Sequence, residues 1–147
     1  MTLYMLDTDT CSYIMRRYSE TIVERFESVL QNKGKIVISA ITYSEMRYGA
    51  IGSKKPDKVE YIIEEFVKRI DEVLPWTREA IEKSVEIRKQ LSAKGIIIGK
   101  NDSSIAGHAL AYPLTGCLPH VCILRRYPRS TRDPGQGFGS GLAGPRA

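Results

Sequence analysis

Three acids are the residues in this chain best placed for chemistry: Asp7, Glu45 and Asp102. Asp7 closes the apolar run Leu3-Tyr4-Met5-Leu6 and begins a cluster of carboxylates and hydroxyls, Asp7-Thr8-Asp9-Thr10. Glu45 lies shortly after the run Ile36-Val37-Ile38-Ser39, and Asp102 shortly after Ile96-Ile97-Ile98-Gly99. Each has an ordinary local reading. Asp7 or Asp9 suits an Asx turn, Thr42 and Glu45 a capping box, and Asn101 or Asp102 a helix N-cap. Jointly they say more, because all three follow apolar segments that can end at one edge of a sheet. Carboxylates brought together repel one another unless a cation lies between them. An all-oxygen set suits a hard ion such as Mg2+, with Mn2+ an alternative, leaving positions for water and phosphate. Such an ion lowers the pKa of bound water and neutralises charge on a phosphodiester under attack.

The elements that must position these acids are readable along the chain. Leu3–Leu6 and Ile36–Ser39 are short apolar runs without alternation, the pattern of strands buried on both faces. Between them, residues 10–17 form a short helix. Ser19 caps a second, with Ile22, Val23, Phe26, Val29 and Leu30 on one face. A third helix spans residues 42–50. Pro56 opens the most regular one, with Val59, Ile62, Ile63, Phe66, Val67 and Ile70 on its inner face and Glu64–Lys68 and Glu65–Arg69 pairs outside. Val73-Leu74 makes a third strand. Thr77 starts a helix whose apolar stripe is Ile81, Val85 and Leu91, stopped by Gly95. A last helix runs to Tyr112. Alternation of strands and helices implies an α/β class with a central parallel sheet flanked by helices, in which ligands collect at the carboxyl ends of the strands.

Composition narrows the function. The 147 residues suffice for one domain with a core. No apolar run approaches the length of a membrane span, and no secretory signal is visible, so a cytoplasmic protein with no membrane partner is expected. The three cysteines match no zinc spacing and read as reduced thiols. The net charge of +5 is unevenly distributed. Residues 1–112 hold 17 basic against 16 acidic residues, whereas residues 113–147 hold five arginines against one aspartate. The basic balance is therefore a property of the tail, and says little about nucleic-acid binding by residues 1–112.

Three segments carry a family resemblance: Met5-Leu6-Asp7-Thr8-Asp9, the stretch from Ile38 through Glu45 to Ala50, and the stretch from Ile98 through Asp102 to Ala109. In order and spacing they resemble the acidic motifs of PIN-domain ribonucleases, in particular the VapC toxins of type II toxin–antitoxin pairs. The resemblance covers residues 1–112. It implies a PIN-like fold, cleavage of single-stranded RNA with Mg2+ or Mn2+, a small antitoxin partner and a homodimer. Matched motif by motif, Asp7, Glu45 and Asp102 take the catalytic and metal-binding roles.

After Tyr112 the chain departs from that pattern. The last 35 residues hold six of the twelve glycines and five of the seven prolines. Residues 113–131 are expected to complete the domain atypically, with a strand at His120–Leu124, and residues 132–147 to be a disordered tail. Such an ending implies impaired activity, and one alternative is an inactive toxin remnant that only binds antitoxin. A second alternative is a haloacid-dehalogenase-type phosphatase, whose Asp-x-Asp-x-Thr/Val motif Asp7-Thr8-Asp9-Thr10-Cys11 nearly fits, though it leaves Glu45 without a role. His108, one turn beyond Asp102, is expected to pack or to support the site rather than react. Arg16, Arg17, Arg47 and Lys100 are basic groups that can meet RNA phosphates, or simply face solvent.

Overall fold

The computed structural model describes residues 3–112. The expectations for residues 113–131, the His120–Leu124 strand and the tail from 132 lie outside the described residues. The order of elements is β1 (Leu3–Leu6), α1 (Thr8–Arg16), α2 (Glu20–Gln31), β2 (Lys35–Ser39), α3 (Ala40–Ile51), α4 (Pro56–Val67), β3 (Glu72–Leu74), α5 (Arg78–Ala93) and α6 (Lys100–Ala111). The strands form a parallel sheet in the order β1-β2-β3. Leu6 pairs with Ile38, and Ser39 with Leu74, so the three strands end at one edge. At its start β3 is locked to β2 by a reciprocal pair: Asp71 N–H donates to the Ile36 carbonyl (2.8 Å), and Ile36 N–H to Asp71 Oδ2 (2.7 Å).

Both faces of the sheet are covered, which is why the strands read as continuous apolar runs. Leu6, Ile36 and Ile38 point into a cluster with Cys11 and Ile14 of α1, Phe26 of α2, Met46 of α3, and Ile63 and Phe66 of α4. Met5, Val37 and Leu74 point the other way, against Ile105 and Ala109 of α6. Adjacent residues on a strand face opposite sides, so one short run serves both cores.

Several local expectations change. α1 starts at Thr8 rather than residue 10, because Asp7 is its N-cap: Oδ1 accepts the Thr10 amide at 2.9 Å. α3 starts at Ala40 rather than Thr42, capped by Ser39, whose Oγ accepts the Ile41 amide at 3.1 Å. The Thr42–Glu45 capping box therefore does not form; Thr42 is fully buried and its Oγ1 has no hydrogen-bond partner. Neither Asn101 nor Asp102 caps α6, which starts from Gly99 without a side-chain cap. On α4 the expected pairs yield to neighbouring helices: Glu64 faces Arg47 at 3.9 Å, and Arg69 makes a two-pronged contact with Glu27 of α2 (2.6 and 2.8 Å). Lys68 pairs with Glu65 instead.

The stripe on α5 is the largest correction. Ile81 and Val85 are 44% and 58% exposed, while Ala80 and Ser84 are buried. α5 packs against α6 through small residues, with Gly107 directly over the Ser84 backbone. That approach needs a face without bulk, so the apolar face of α5 is left outward.

Candidate active site

The shared strand edge gathers the site. Asp7 leaves β1 and caps α1, and Ser39 leaves β2 and caps α3, so both helices open at the same end of the sheet. Glu45 lies in the second turn of α3. Its carboxylate is where the three segments meet. Oε2 accepts the Thr8 hydroxyl, and Oε1 accepts the Asn101 amide at 2.6 Å. Thr8 is the neighbour of Asp7, and Asn101 the neighbour of Asp102. Segments 37 and 56 residues apart from Glu45 thus converge on one side chain.

The acids themselves meet through these neutral intermediaries. Among the described residues no three His, Cys, Asp or Glu groups form a ready-made metal-holding cluster. Asp7 uses one oxygen for its cap. Asp102 Oδ2 is buried and lies 3.1 Å from the point where a Cβ on Gly99 would sit, so the glycine leaves room for it. The donor chemistry nevertheless fits a hard divalent cation: carboxylate oxygens, flanked by a hydroxyl and an amide, at the open ends of parallel strands. Asp7, Glu45 and Asp102 are the groups that would hold it.

His108 supports the arrangement from below. It is buried, its Nδ1 is 2.8 Å from Ser39 Oγ, and its ring meets Trp76 edge-on at 5.4 Å. Burial pushes its pKa below the ordinary histidine value, opposed by a hydrogen bond to the Pro75 backbone. Proline offers only a carbonyl, so the ring donates there with one nitrogen and accepts from the Ser39 hydroxyl with the other. The neutral ring therefore ties α6 to the ends of β2 and β3. Of the basic residues, Arg47 faces Glu60 and Glu64 at 3.8 and 3.9 Å, and Arg16 lies over the Tyr18 ring at 5.7 Å. Lys100 stands exposed at the start of α6.

The sequence reading missed the parts played by Thr8 and Asn101. The available signal was their position: each is a hydrogen-bonding residue next to a candidate acid.

A parallel sheet with acids gathered where its strands end and its helices begin defines a class, and comparison with known proteins identifies it. The description "PIN domain" matches residues 4–115, and the chain belongs to this family. Ribonuclease VapC2 of Rickettsia felis is 32% identical over 126 residues, 86% of this chain and 92% of that protein. The tRNA(fMet)-specific endonuclease VapC of Shigella flexneri is 38% identical over 109 residues, 74% of this chain and 80% of that one. A chain in the crystal structure of VapBC2 from Rickettsia felis, bound to a DNA fragment from their promoter, matches with a TM-score of 0.68 at 32% identity. It covers 75% of this chain and 81% of that one.

Proposed function

We propose that the protein is a metal-dependent endoribonuclease toxin that cleaves single-stranded RNA. The observation that carries this reading is the convergence of all three acidic segments on the Glu45 carboxylate. Asp7, Glu45 and Asp102 hold a divalent cation, Mg2+ or Mn2+. When bound, the ion supplies an acidified water and charge neutralisation at the scissile phosphate. Thr8 and Asn101 orient Glu45 by donating to its two oxygens, which keeps a flexible side chain in one rotamer before substrate arrives. Ser39 and His108 keep the helices bearing Glu45 and Asp102 in register. Glu45 would be idle in a dehalogenase-type phosphatase, and its central place favours the nuclease.

The partners follow from the same site. A cluster of carboxylates attracts a basic side chain, and an arginine can pair with carboxylate oxygens through two parallel bonds. A small antitoxin that inserts such a residue would silence the enzyme. The toxin works as a homodimer in the cytoplasm, with residues 1–112 as the bulk of the domain. The test is cleavage of tRNA and of unstructured RNA by the purified full chain, with Mg2+ or Mn2+ and with chelator. p-Nitrophenyl phosphate serves as the phosphatase control. Metal-dependent cleavage of RNA, lost in Asp7→Asn, supports the reading. Turnover of p-nitrophenyl phosphate alone overturns it. Capture of the product of the upstream reading frame, without nuclease activity, leaves the antitoxin-binding remnant instead.

A further inference from the structure

One surface of α1 lies outside the hydrophobic core. Asp9, Tyr13 and Arg16 follow one another at i, i+4 and i+7, a single stripe running from the acidic end of the helix to its far end. Tyr13 is 44% exposed, and Tyr18, just beyond the helix, 58%. Their ring centroids are 6.5 Å apart at 60°, so neither ring covers the face of the other. The Arg16 guanidinium lies 5.7 Å from the Tyr18 ring centroid, and Arg17 is exposed beside it. The helix rise of about 1.5 Å per residue puts Arg16 about 13 Å along the axis from Asp7 at the N-cap, within reach of nucleotides flanking a phosphodiester held at the acids.

The backbone supplies an independent observation. Arg17 sits at φ 54°, the left-handed position of a Schellman turn. Its N–H bonds to the Ile14 carbonyl at 3.2 Å, and that of Tyr18 to the Tyr13 carbonyl at 3.1 Å. Glycine is the usual residue there, as at Gly95 after α5 with φ 68°. A side chain at this position is strained, and at Arg17 the strained residue stands beside the exposed aromatic pair. Lys33, at φ 58° after α2, is strained in the same way, away from the aromatic pair, and serves as a control.

We propose that Tyr13, Tyr18, Arg16 and Arg17 form a subsite for single-stranded RNA flanking the cleaved bond, with bases stacked on the tyrosines and phosphates met by the arginines. This assignment rests on the ribonuclease reading above. Aromatic stacking tolerates any base, so the subsite favours unpaired strands over duplex without reading sequence.

The test is fluorescence anisotropy of a labelled, unstructured oligoribonucleotide, and of its duplex, on the full chain in chelator. Tyr18→Leu should weaken single-strand binding about 5- to 100-fold, the range of one stacked base. Tyr18→Phe should bind like the parent, because the ring is retained. Arg17→Gly should raise the melting temperature yet weaken binding, with a log–log salt dependence shallower by about 0.7. Lys33→Gly should raise the melting temperature and leave RNA affinity unchanged. Duplex affinity should not respond to any of the four. If the parent cleaves RNA with a divalent ion but Tyr18→Leu and Arg17→Gly bind as the parent does, the subsite is wrong and the nuclease reading stands. If these variants lose a co-expressed protein partner while RNA affinity holds, the surface belongs to that partner and the proposal falls. A parent chain that neither binds nor cleaves RNA removes both.

Discussion

Gly107→Ala should destabilise the protein, against what helix propensity alone would give. In an exposed helix interior this substitution gains about 1 kcal/mol. Here a Cβ on residue 107 would lie 2.3 Å from Ser84 Cα, 2.4 Å from Ser84 N and 2.6 Å from Ser84 Cβ. Ordinary carbon contacts are roughly 3.5–4.0 Å, so α5 and α6 must separate by about 1 Å or more. The obstacle is backbone, which cannot rotate away as a side-chain tip can. Overpacking of this kind costs about 1–3 kcal/mol, and a backbone clash belongs at the upper end. The net loss is then about 2 kcal/mol, or roughly 4–8 °C in melting temperature for a chain of this size. The displacement also carries α6 away from the polar contacts Asn101–Glu45 at 2.6 Å and His108–Ser39 at 2.8 Å. Activity should therefore fall below what the remaining folded fraction explains. Thermal unfolding followed by circular dichroism is the assay. Gly52→Ala is the control, since its nearest neighbour would be an ordinary 3.8 Å away. A Gly107→Ala melting temperature equal to or above that of the parent would refute the close α5–α6 contact.

The remaining outcomes are more direct. Asp7→Asn should abolish cleavage while leaving stability within about 0.5 kcal/mol, because asparagine caps a helix as well as aspartate. Asp7→Ala should lose a further ~1 kcal/mol with the cap, measurable by urea titration. Mn2+ or Mg2+ at a hundredfold excess over its dissociation constant should stabilise the parent by about 2.7 kcal/mol, and the Asp7→Asn/Asp102→Asn pair should not respond. An equal shift in the double variant would remove these acids from the metal site. For His108, burial holds the folded pKa below the ordinary 6.5. The unfolded chain then binds more protons between the two values, so this residue's contribution is intact above about pH 6.5 and is lost as pH falls toward the folded pKa. Denaturant titrations at pH values on both sides of that window should show a smaller decline for His108→Gln than for the parent.

Much of this protein follows from the order of its residues. The apolar runs at Leu3–Leu6 and Ile36–Ser39 identify strands buried on both faces, and parallel pairing follows from the helices between them. Asp7 and Glu45 follow these runs, whereas the Ile96–Ile98 segment before Asp102 forms no strand and leaves Ile97 exposed; the family is legible from the motifs around the acids. Other features were decided only by packing. Burial of Ala80 and Ser84 rather than Ile81 and Val85 depends on Gly107 of a later helix approaching the α5 backbone. Glu64 and Arg69 took partners on α3 and α2 over neighbours on their own helix. Glu45 turned from the local cap its sequence suggests to a hydroxyl and an amide 37 and 56 residues away. Periodicity records that a face is apolar and a cap plausible. Which face is covered, and which of two donors reaches a carboxylate first, is set by how closely elements distant in sequence approach one another.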